Sequence, residues 1–138
     1  MIVLDTNVLS EAMKARPDRR VLDWYAAQAS AGIFTTTLTQ AEVFYGLMLI
    51  PQGRRRDDLL SAARAAFDED LAGRVLPFDI DAARIYPTIA FERRAAGRPI
   101  SQIDAQIAAI TRSRGARLAT RNTRDFEACG IELVDPWR

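Results

Sequence analysis

Histidine is absent from this sequence of 138 residues, and cysteine occurs once, as Cys129. Without histidine the chain has no Ser-His-Asp or Cys-His catalytic group, no imidazole zinc ligand and no imidazole acid or base. A single thiol excludes an intrachain disulfide and a cysteine-rich metal cage. Any chemistry must therefore use carboxylates, hydroxyls, amides and arginine.

Long apolar runs are also missing. No run approaches the ~18 residues that a membrane span needs. The first residues, Met1 to Asp5, lack the basic segment and the long apolar stretch of a signal peptide. Together with the single thiol, these absences predict a cytoplasmic protein with no membrane association. The length predicts a single domain over residues 1–138.

The basic and acidic residues are unevenly distributed, although the formal net charge is only +1. Residues 93–124 contain eight arginines and one acid, Asp104, whereas residues 57–81 contain seven acids and two arginines. Lysine occurs once, as Lys14. The basic segment fits either a phosphate-binding surface or a set of solvated helix faces, and both interpretations stay open.

Short apolar runs alternate with helical patterns along the whole chain. This alternation predicts an α/β fold with a parallel sheet. The proline at 77 favours an edge strand for residues 75–78, and Pro87 predicts a kink within its helix. Apolar spacing directs Ile103, Ile107 and Ile110 inward. The strands are expected at 2–4, 33–35, 75–78, 117–120 and 131–134, and the helices at 7–14, 18–30, 39–50, 57–71, 81–96 and 101–114, with a short one near 125.

Four acids lie where strands end or helices begin. Asp5 directly follows the first strand, and Glu42 is expected in the first turn of a helix after the second. Asp125 follows the fourth strand by about one turn. In an open parallel sheet, sites form beyond the carboxyl ends of the strands. Asp104 joins the other three only if its own helix begins at that edge.

Helix capping is the competing explanation for three of these acids. Thr39 to Glu42 has the spacing of a capping box, and Ser101 to Asp104 and Asn122 to Asp125 come close to it. An acid in the first turn also gains ~0.3–1 kcal/mol from the helix dipole. For each acid alone, capping is the better explanation, whereas for Asp5 a capping and a functional role are equally favoured.

Convergence of the four acids would require a compensating cation. Neighbouring carboxylates do not all stay ionised without one, and lysine is nearly absent. Ligand sets made only of oxygen favour Mg²⁺ or Mn²⁺. Two such ions about 4 Å apart stabilise the attacking and leaving oxygens of a phosphoryl displacement. That chemistry needs no histidine.

Four segments, in order and at matching spacing, closely resemble the motifs of PIN-domain ribonucleases, and in particular VapC toxins of the FitB-like branch. The segments are DTNVLSE at 5–11, QAEVFYG at 40–46, GRPI at 97–100 followed by DAQIAA at 104–109, and ATRNTRDF at 119–126. The resemblance implies a three-layer α/β/α domain around a central parallel sheet. It also implies Mg²⁺- or Mn²⁺-dependent cleavage of RNA, with transfer RNA as a plausible substrate, a homodimer and a cognate antitoxin.

The resemblance also assigns roles to individual residues. Asp5 and Asp104 would be the principal metal ligands and Glu42 would hold or orient the metals, while Asp125 would complete the quartet. Many relatives have an acid where this chain has Asn122, so it stays open whether Asn122 or Asp125 completes the site. Hydrogen bonds around the acids would come from Thr6, Asn7 and Thr120, and Arg98 would bind substrate phosphate.

Two other functions compete with RNA cleavage. A nucleophilic aspartate at Asp5 would need a well-placed lysine, and haloacid dehalogenase-like phosphatases have an acid where this chain has Asn7. The second alternative is a catalytically silent module of the same fold that binds RNA or protein. The complete quartet of acids argues against this second alternative.

Overall fold

The computed structural model describes residues 1–138 and contains one five-stranded sheet in the order β3-β2-β1-β4-β5. All neighbouring strands are parallel. No helix is long and apolar enough to cross a membrane. The strands are β1 (Ile2–Leu4), β2 (Ile33–Thr36), β3 (Val75–Leu76), β4 (Arg117–Ala119) and β5 (Glu132–Val134), and the helices are α1 (Thr6–Ala12), α2 (Arg19–Ala26), α3 (Thr37–Met48), α4 (Arg54–Ala65), α5 (Ile80–Ala95) and α6 (Gln102–Ser113).

The sheet separates two apolar cores. Alternate side chains of a strand point to opposite faces, so Ile2 and Leu4 enter one core while Val3 enters the other. The first core contains apolar residues of α1 to α4, and the second contains those of α5 and α6. The expected three-layer α/β/α arrangement is therefore confirmed.

The central position of β1 agrees with its composition. Ile2, Val3 and Leu4 are all buried, as a strand covered on both faces requires. Strand β1 pairs with β2 on one side and with β4 on the other. The expected edge position of the strand predicted at 75–78 is also confirmed, because β3 pairs only with β2, although β3 ends at Leu76, before Pro77.

Several details of the helices differ from the sequence-based expectations. Helix α3 begins two residues earlier than predicted, because Thr36 caps it. Helix α4 begins at Arg54 and is followed by a π-helical turn, Ala66–Asp70. Helix α5 continues through Pro87. Ile103 was predicted to point inward, but it is 37% exposed. It lies in the first turn of α6, whereas the buried residues of this helix begin at Ala105.

Candidate active site

Asp5 lies at the junction between β1 and α1, where it is buried and held by three hydrogen bonds. Its Oδ1 accepts from the backbone N–H of Thr6 at 2.8 Å, which makes Asp5 the N-cap of α1. Its Oδ2 accepts from Thr120 Oγ1 at 2.8 Å and from Asn7 Nδ2 at 3.4 Å. The carboxylate therefore has a fixed orientation at the carboxyl end of the central strand.

The surroundings of Asp5 favour its protonated form. Burial raises the pKa of Asp5 above the ordinary value of 3.8, while the hydrogen bonds from Thr120 and Thr6 act in the opposite direction. The negative charges of Glu42 and Asp125 raise this pKa further. Ionisation of Asp5 in the metal-free protein is therefore less favourable than ionisation of an ordinary exposed aspartate.

Asp104 reaches the same region from α6. Ser101 caps this helix, and its Oγ accepts from the backbone N–H of Asp104 at 3.1 Å, so the predicted cap at Ser101 is confirmed. The pKa of Asp104 is raised to about 6. Burial is the largest cause, and the negative charges of Asp5, Asp125 and Glu42 raise the pKa further. The start of α6 therefore lies at the same edge as Asp5, and the four acids interact electrostatically.

The side chain of Glu42 accepts a hydrogen bond from a hydroxyl group and does not cap helix α3. Thr6 Oγ1 donates to Glu42 Oε1 at 2.7 Å and approaches Thr39 Oγ1 at 3.4 Å. The capping-box interpretation of Thr39 and Glu42 was wrong, since Thr36 Oγ1 accepts from the N–H of Thr39 at 3.1 Å. Because the helix begins at Thr37, Glu42 lies in its second turn and is available to the site.

A network of polar side chains surrounds Asp5. Thr120 Oγ1 donates to Asp5 and accepts from the backbone N–H of Asn122 at 3.1 Å. Asn7 Nδ2 approaches Thr120 Oγ1 at 3.4 Å, and Asn7 Oδ1 accepts from the N–H of Arg121 at 3.2 Å. Thr6, Asn7 and Thr120 thus contact the acids directly, whereas Asn122 enters the network through its backbone.

Asp125 lies in the short 3-10 helix Thr123–Phe126. The side chain of Asn122 does not cap this helix, so that capping prediction was wrong. Asp125 and Asp104 line a common pocket of about 260 Å³, together with Arg93 and residues 99–101. Asp125 is therefore the acid that shares a cavity with Asp104, and the side chain of Asn122 does not line that cavity.

No cation of the protein compensates the four carboxylates. None of them forms an ion pair, and Lys14 pairs instead with Glu11, at 2.9 Å. That pairing also leaves no lysine to assist a nucleophilic Asp5. No three acidic side chains lie close enough together to ligate one ion in common. This spacing suits Mg²⁺, which binds through one or two carboxylates and keeps several of its waters.

Arg98 was predicted to bind substrate phosphate. Its Nη2 contacts Glu127 Oε2 at 2.8 Å and the carbonyl oxygen of Arg124 at 3.4 Å. Both side chains of the Arg98–Glu127 pair are about half exposed. The exposure of Arg98 and its hydrogen bonds place this side chain at the rim of the site, next to the segment that carries Asp125.

Sequence reasoning missed Arg93, which is 95% buried and lines the pocket with Asp104 and Asp125. A signal was present in the helical spacing. Ala82, Ile89 and Arg93 follow at intervals of seven and four residues, and all three are buried on one face of α5. An arginine on the apolar face of a helix indicates that a positive charge has a role in the interior of the protein.

A second, larger groove begins at the site. Thr6 and Glu42 lie among its lining residues, and it has a volume of about 670 Å³ between α1, α3 and the start of α4. Met13, Val43 and Leu47 contribute apolar surface. Three cationic side chains also line it: Lys14, Arg54 and Arg55.

Comparison with known proteins agrees with this arrangement of fold and site. The VapC ribonuclease Y4jK of Sinorhizobium fredii is 43% identical over 137 residues, covering 99% of this chain and 98% of that protein. Toxin FitB of Neisseria gonorrhoeae is 33% identical over 137 residues, with 99% of each chain covered. The tRNA(fMet)-specific endonuclease VapC of Shigella flexneri is 30% identical over 135 residues, covering 98% of this chain and 96% of that one.

The structural match is equally extensive. The crystal structure of FitAcB from Neisseria gonorrhoeae superposes on the chain with a TM-score of 0.94 at 33% identity, covering 100% of this chain and 99% of that one. The family model of the PIN domain matches residues 2–131. The chain therefore belongs to the PIN-domain family, with VapC ribonucleases and toxin FitB among its relatives.

Proposed function

We propose that the protein is a Mg²⁺- or Mn²⁺-dependent endoribonuclease and the toxin of a toxin–antitoxin pair. The observation that carries this proposal is a set of four acids at one sheet edge, none of which forms an ion pair with a cation of the protein. Burial and repulsion raise the pKa of Asp104 to about 6 and also raise the pKa of Asp5. Such a cluster lowers stability unless it binds a cation. The ribonuclease relatives indicate which reaction the cation serves.

Asp5 and Asp104 would hold the metal, with Glu42 and Asp125 adjusting its number and position. When bound, a divalent ion stabilises negative charge on a phosphate and supplies a nucleophilic water at neutral pH. Thr120 and the N–H of Thr6 fix both oxygens of Asp5. The chain's own contribution is thus to orient the carboxylates and to hold them close together, where a bound cation would offset their repulsion.

Thr6 and Asn7 complete the orientation of the site. Thr6 uses its N–H for Asp5 and its hydroxyl for Glu42, so one residue couples two acids. Asn7 connects Asp5 to the backbone at Arg121. We propose that Arg98 contacts the RNA backbone at the rim, because its exposed pair with Glu127 is weak and exchangeable.

The substrate we propose is transfer RNA, cut at a single position. The Shigella flexneri relative carries that specificity in its name. The direct test is to sequence the 5′ ends of cellular RNA after brief expression of the wild type and of Asp5→Ala. The wild type should produce new RNA ends and arrest growth, and Asp5→Ala should do neither.

Asp68→Ala serves as the matched control, because Asp68 is an exposed acid on the π-helical turn away from the site. It should cleave like the wild type. A folded Asp5→Ala protein with full activity would contradict the mechanism. Binding of Mg²⁺ or Mn²⁺ without cleavage of any RNA would instead identify the protein as a silent binding module.

The groove that begins at Thr6 and Glu42 fits the proposed antitoxin. Its apolar surface matches the apolar face of an amphipathic segment, and Arg55, the lining cation that forms no ion pair, can contact an acidic residue of that segment. Continuity with the site means that an occupant of the groove also blocks access to Glu42. Co-purification with the product of the neighbouring reading frame tests the partner, and Val43→Arg should abolish the complex.

We also propose a homodimer. Helix α3 and the residue after it expose Tyr45, Met48 and Leu49, and α5 exposes Phe91, which is 72% accessible. Apolar side chains exposed in this way are typical of an interface between subunits. Sedimentation equilibrium should give a dimer for the wild type and a monomer for Leu49→Arg.

A further inference from the structure

Arg93 is buried without any acidic partner. Its Nε donates to the carbonyl oxygen of Arg98 at 2.7 Å, and its Nη1 donates to the carbonyl oxygens of Asp125 and Glu127 at 2.8 and 3.0 Å. Nη1 also lies 3.7 Å from Cys129 Sγ. No carboxylate lies within ion-pair distance of the guanidinium. A buried positive charge held only by carbonyl dipoles is costly, so it indicates a missing anion.

The remaining nitrogen of Arg93, Nη2, makes no hydrogen bond with the protein. Because Nε and Nη1 already bond the backbone, Nη2 is the donor left for the pocket of about 260 Å³ that Arg93 lines. The same pocket is also lined by Asp104 and Asp125, two of the four acids of the candidate metal site. Arg93 and two of the candidate metal ligands therefore line one cavity.

The N-terminus of α6 borders this pocket. Ser101 is both the N-cap of this 12-residue helix and a lining residue. Its hydroxyl satisfies only the N–H of Asp104. The N–H groups of Gln102 and Ile103 have no acceptor within the helix, and a helix N-terminus favours anions.

We propose that this pocket binds a phosphate of the RNA backbone next to the scissile one, with Arg93 Nη2 and the first turn of α6 as its donors. The inference rests on the proposed function and names the subsite that positions the strand on the metal site. A phosphate suits the geometry because its oxygens can face Arg93 and α6 at once. Arg93 also ties down the backbone of Asp125, so a bound phosphate and a metal-binding acid are held by the same guanidinium.

The test compares RNA binding by variants in the Asp5→Ala protein, which removes cleavage from the measurement. The probe is a short fluorescein-labelled single-stranded RNA of random sequence, and its affinity is measured by anisotropy at several salt concentrations. Pro99→Glu places a carboxylate in the pocket from an exposed loop position and leaves the hydrogen bonds of Arg93 intact. Pro99→Gln is the matched neutral control.

Arg94→Gln controls for the general electrostatic field, because Arg94 is an exposed neighbour on the same helix. We expect Pro99→Glu to weaken binding about tenfold relative to Pro99→Gln, as for the loss of one charge-assisted hydrogen bond. Its salt slope should fall by about 0.7, the value for one phosphate contact on a single strand. Arg94→Gln should change affinity less than threefold, roughly what one exposed charge contributes.

Equal binding by Pro99→Glu and Pro99→Gln would overturn the proposal, as would an equal loss in Arg94→Gln. Loss of antitoxin binding in Pro99→Glu with unchanged RNA binding would assign the pocket to a protein carboxylate and also overturn it. Activity of the Asp5→Ala background would instead count against the proposed function.

Discussion

Asp104→Asn should stabilise the metal-free protein at neutral pH while destroying its activity. The folded state raises the pKa of Asp104 from 3.8 to about 6. Each pK unit corresponds to about 1.4 kcal/mol, so the ionised carboxylate would lower stability by ~3 kcal/mol if it were fully shielded. Asp104 is only partly buried, and solvent screening reduces this figure to about 1.5 kcal/mol.

The helix dipole acts in the opposite direction. Asp104 lies in the first turn of α6, where a negative charge gains ~0.3–1 kcal/mol. The net gain for Asp104→Asn is therefore about 1 kcal/mol at pH 7. Because a raised carboxyl pKa means that the folded state binds more protons, the wild type loses this stability as the pH rises from about 4 to about 6.

The assay is urea unfolding in the presence of a chelator, at pH 3 and at pH 7. We expect nearly equal stability at pH 3, where residue 104 is mostly neutral in the folded and the unfolded chain of both proteins, and a more stable variant at pH 7. Added Mg²⁺ should reverse the order, because it stabilises only the protein that binds it. Asp68→Asn is the control, because Asp68 is an exposed acid on the π-helical turn. A variant that is less stable than the wild type at pH 7 without metal would refute the electrostatic account of the site.

Three further changes test the network and the core. Thr120→Val removes the hydroxyl that donates to Asp5 and should weaken Mg²⁺ binding 10- to 100-fold, measured by calorimetry; unchanged affinity would exclude Thr120 from the site. Phe126→Ala removes a fully buried ring beside Asp125 and should cost ~3–5 kcal/mol in urea unfolding. Glu11→Gln should cost about 1 kcal/mol at pH 7, because Glu11 accepts from Lys14 and from the N–H of Asp18, and hydrogen bonding lowers its pKa. That cost should shrink below about pH 4 as Glu11 protonates, and a constant cost would contradict this reasoning.

The sequence predicted the architecture well where side-chain periodicity decides it. The apolar run at 2–4 predicted a strand, which is the central β1, and Pro77 predicted the edge position of the strand at 75–78. The inward direction predicted for Ile107 and Ile110 was also correct, since both are buried. These features follow from local side-chain patterns and from the topology rules of parallel sheets. Both can be applied to the sequence without knowledge of the tertiary contacts.

The site was harder to predict because capping and catalysis use the same residues. Ser101 does cap α6 by accepting from the backbone N–H of Asp104, while the side chain of Asp104 lines a pocket together with Asp125. Conversely, Glu42 had the spacing of a capping box but is bound by Thr6, from another helix. Contacts across 36 residues of separation depend on how helices pack on the sheet, and no local pattern contains that information. Arg93 was missed although its helical spacing from Ala82 and Ile89 was a local signal of burial.

The order of the strands has a consequence for synthesis of the chain. Of the five strands, β1 is synthesised before the others and becomes the middle of the sheet, whereas its neighbour β4 is complete only once residue 119 has been made. Asp5 receives the hydroxyl of Thr120 only after that point. A growing chain that stops short of β4 therefore contains Asp5, Glu42 and Asp104 but lacks the hydrogen bond that orients Asp5.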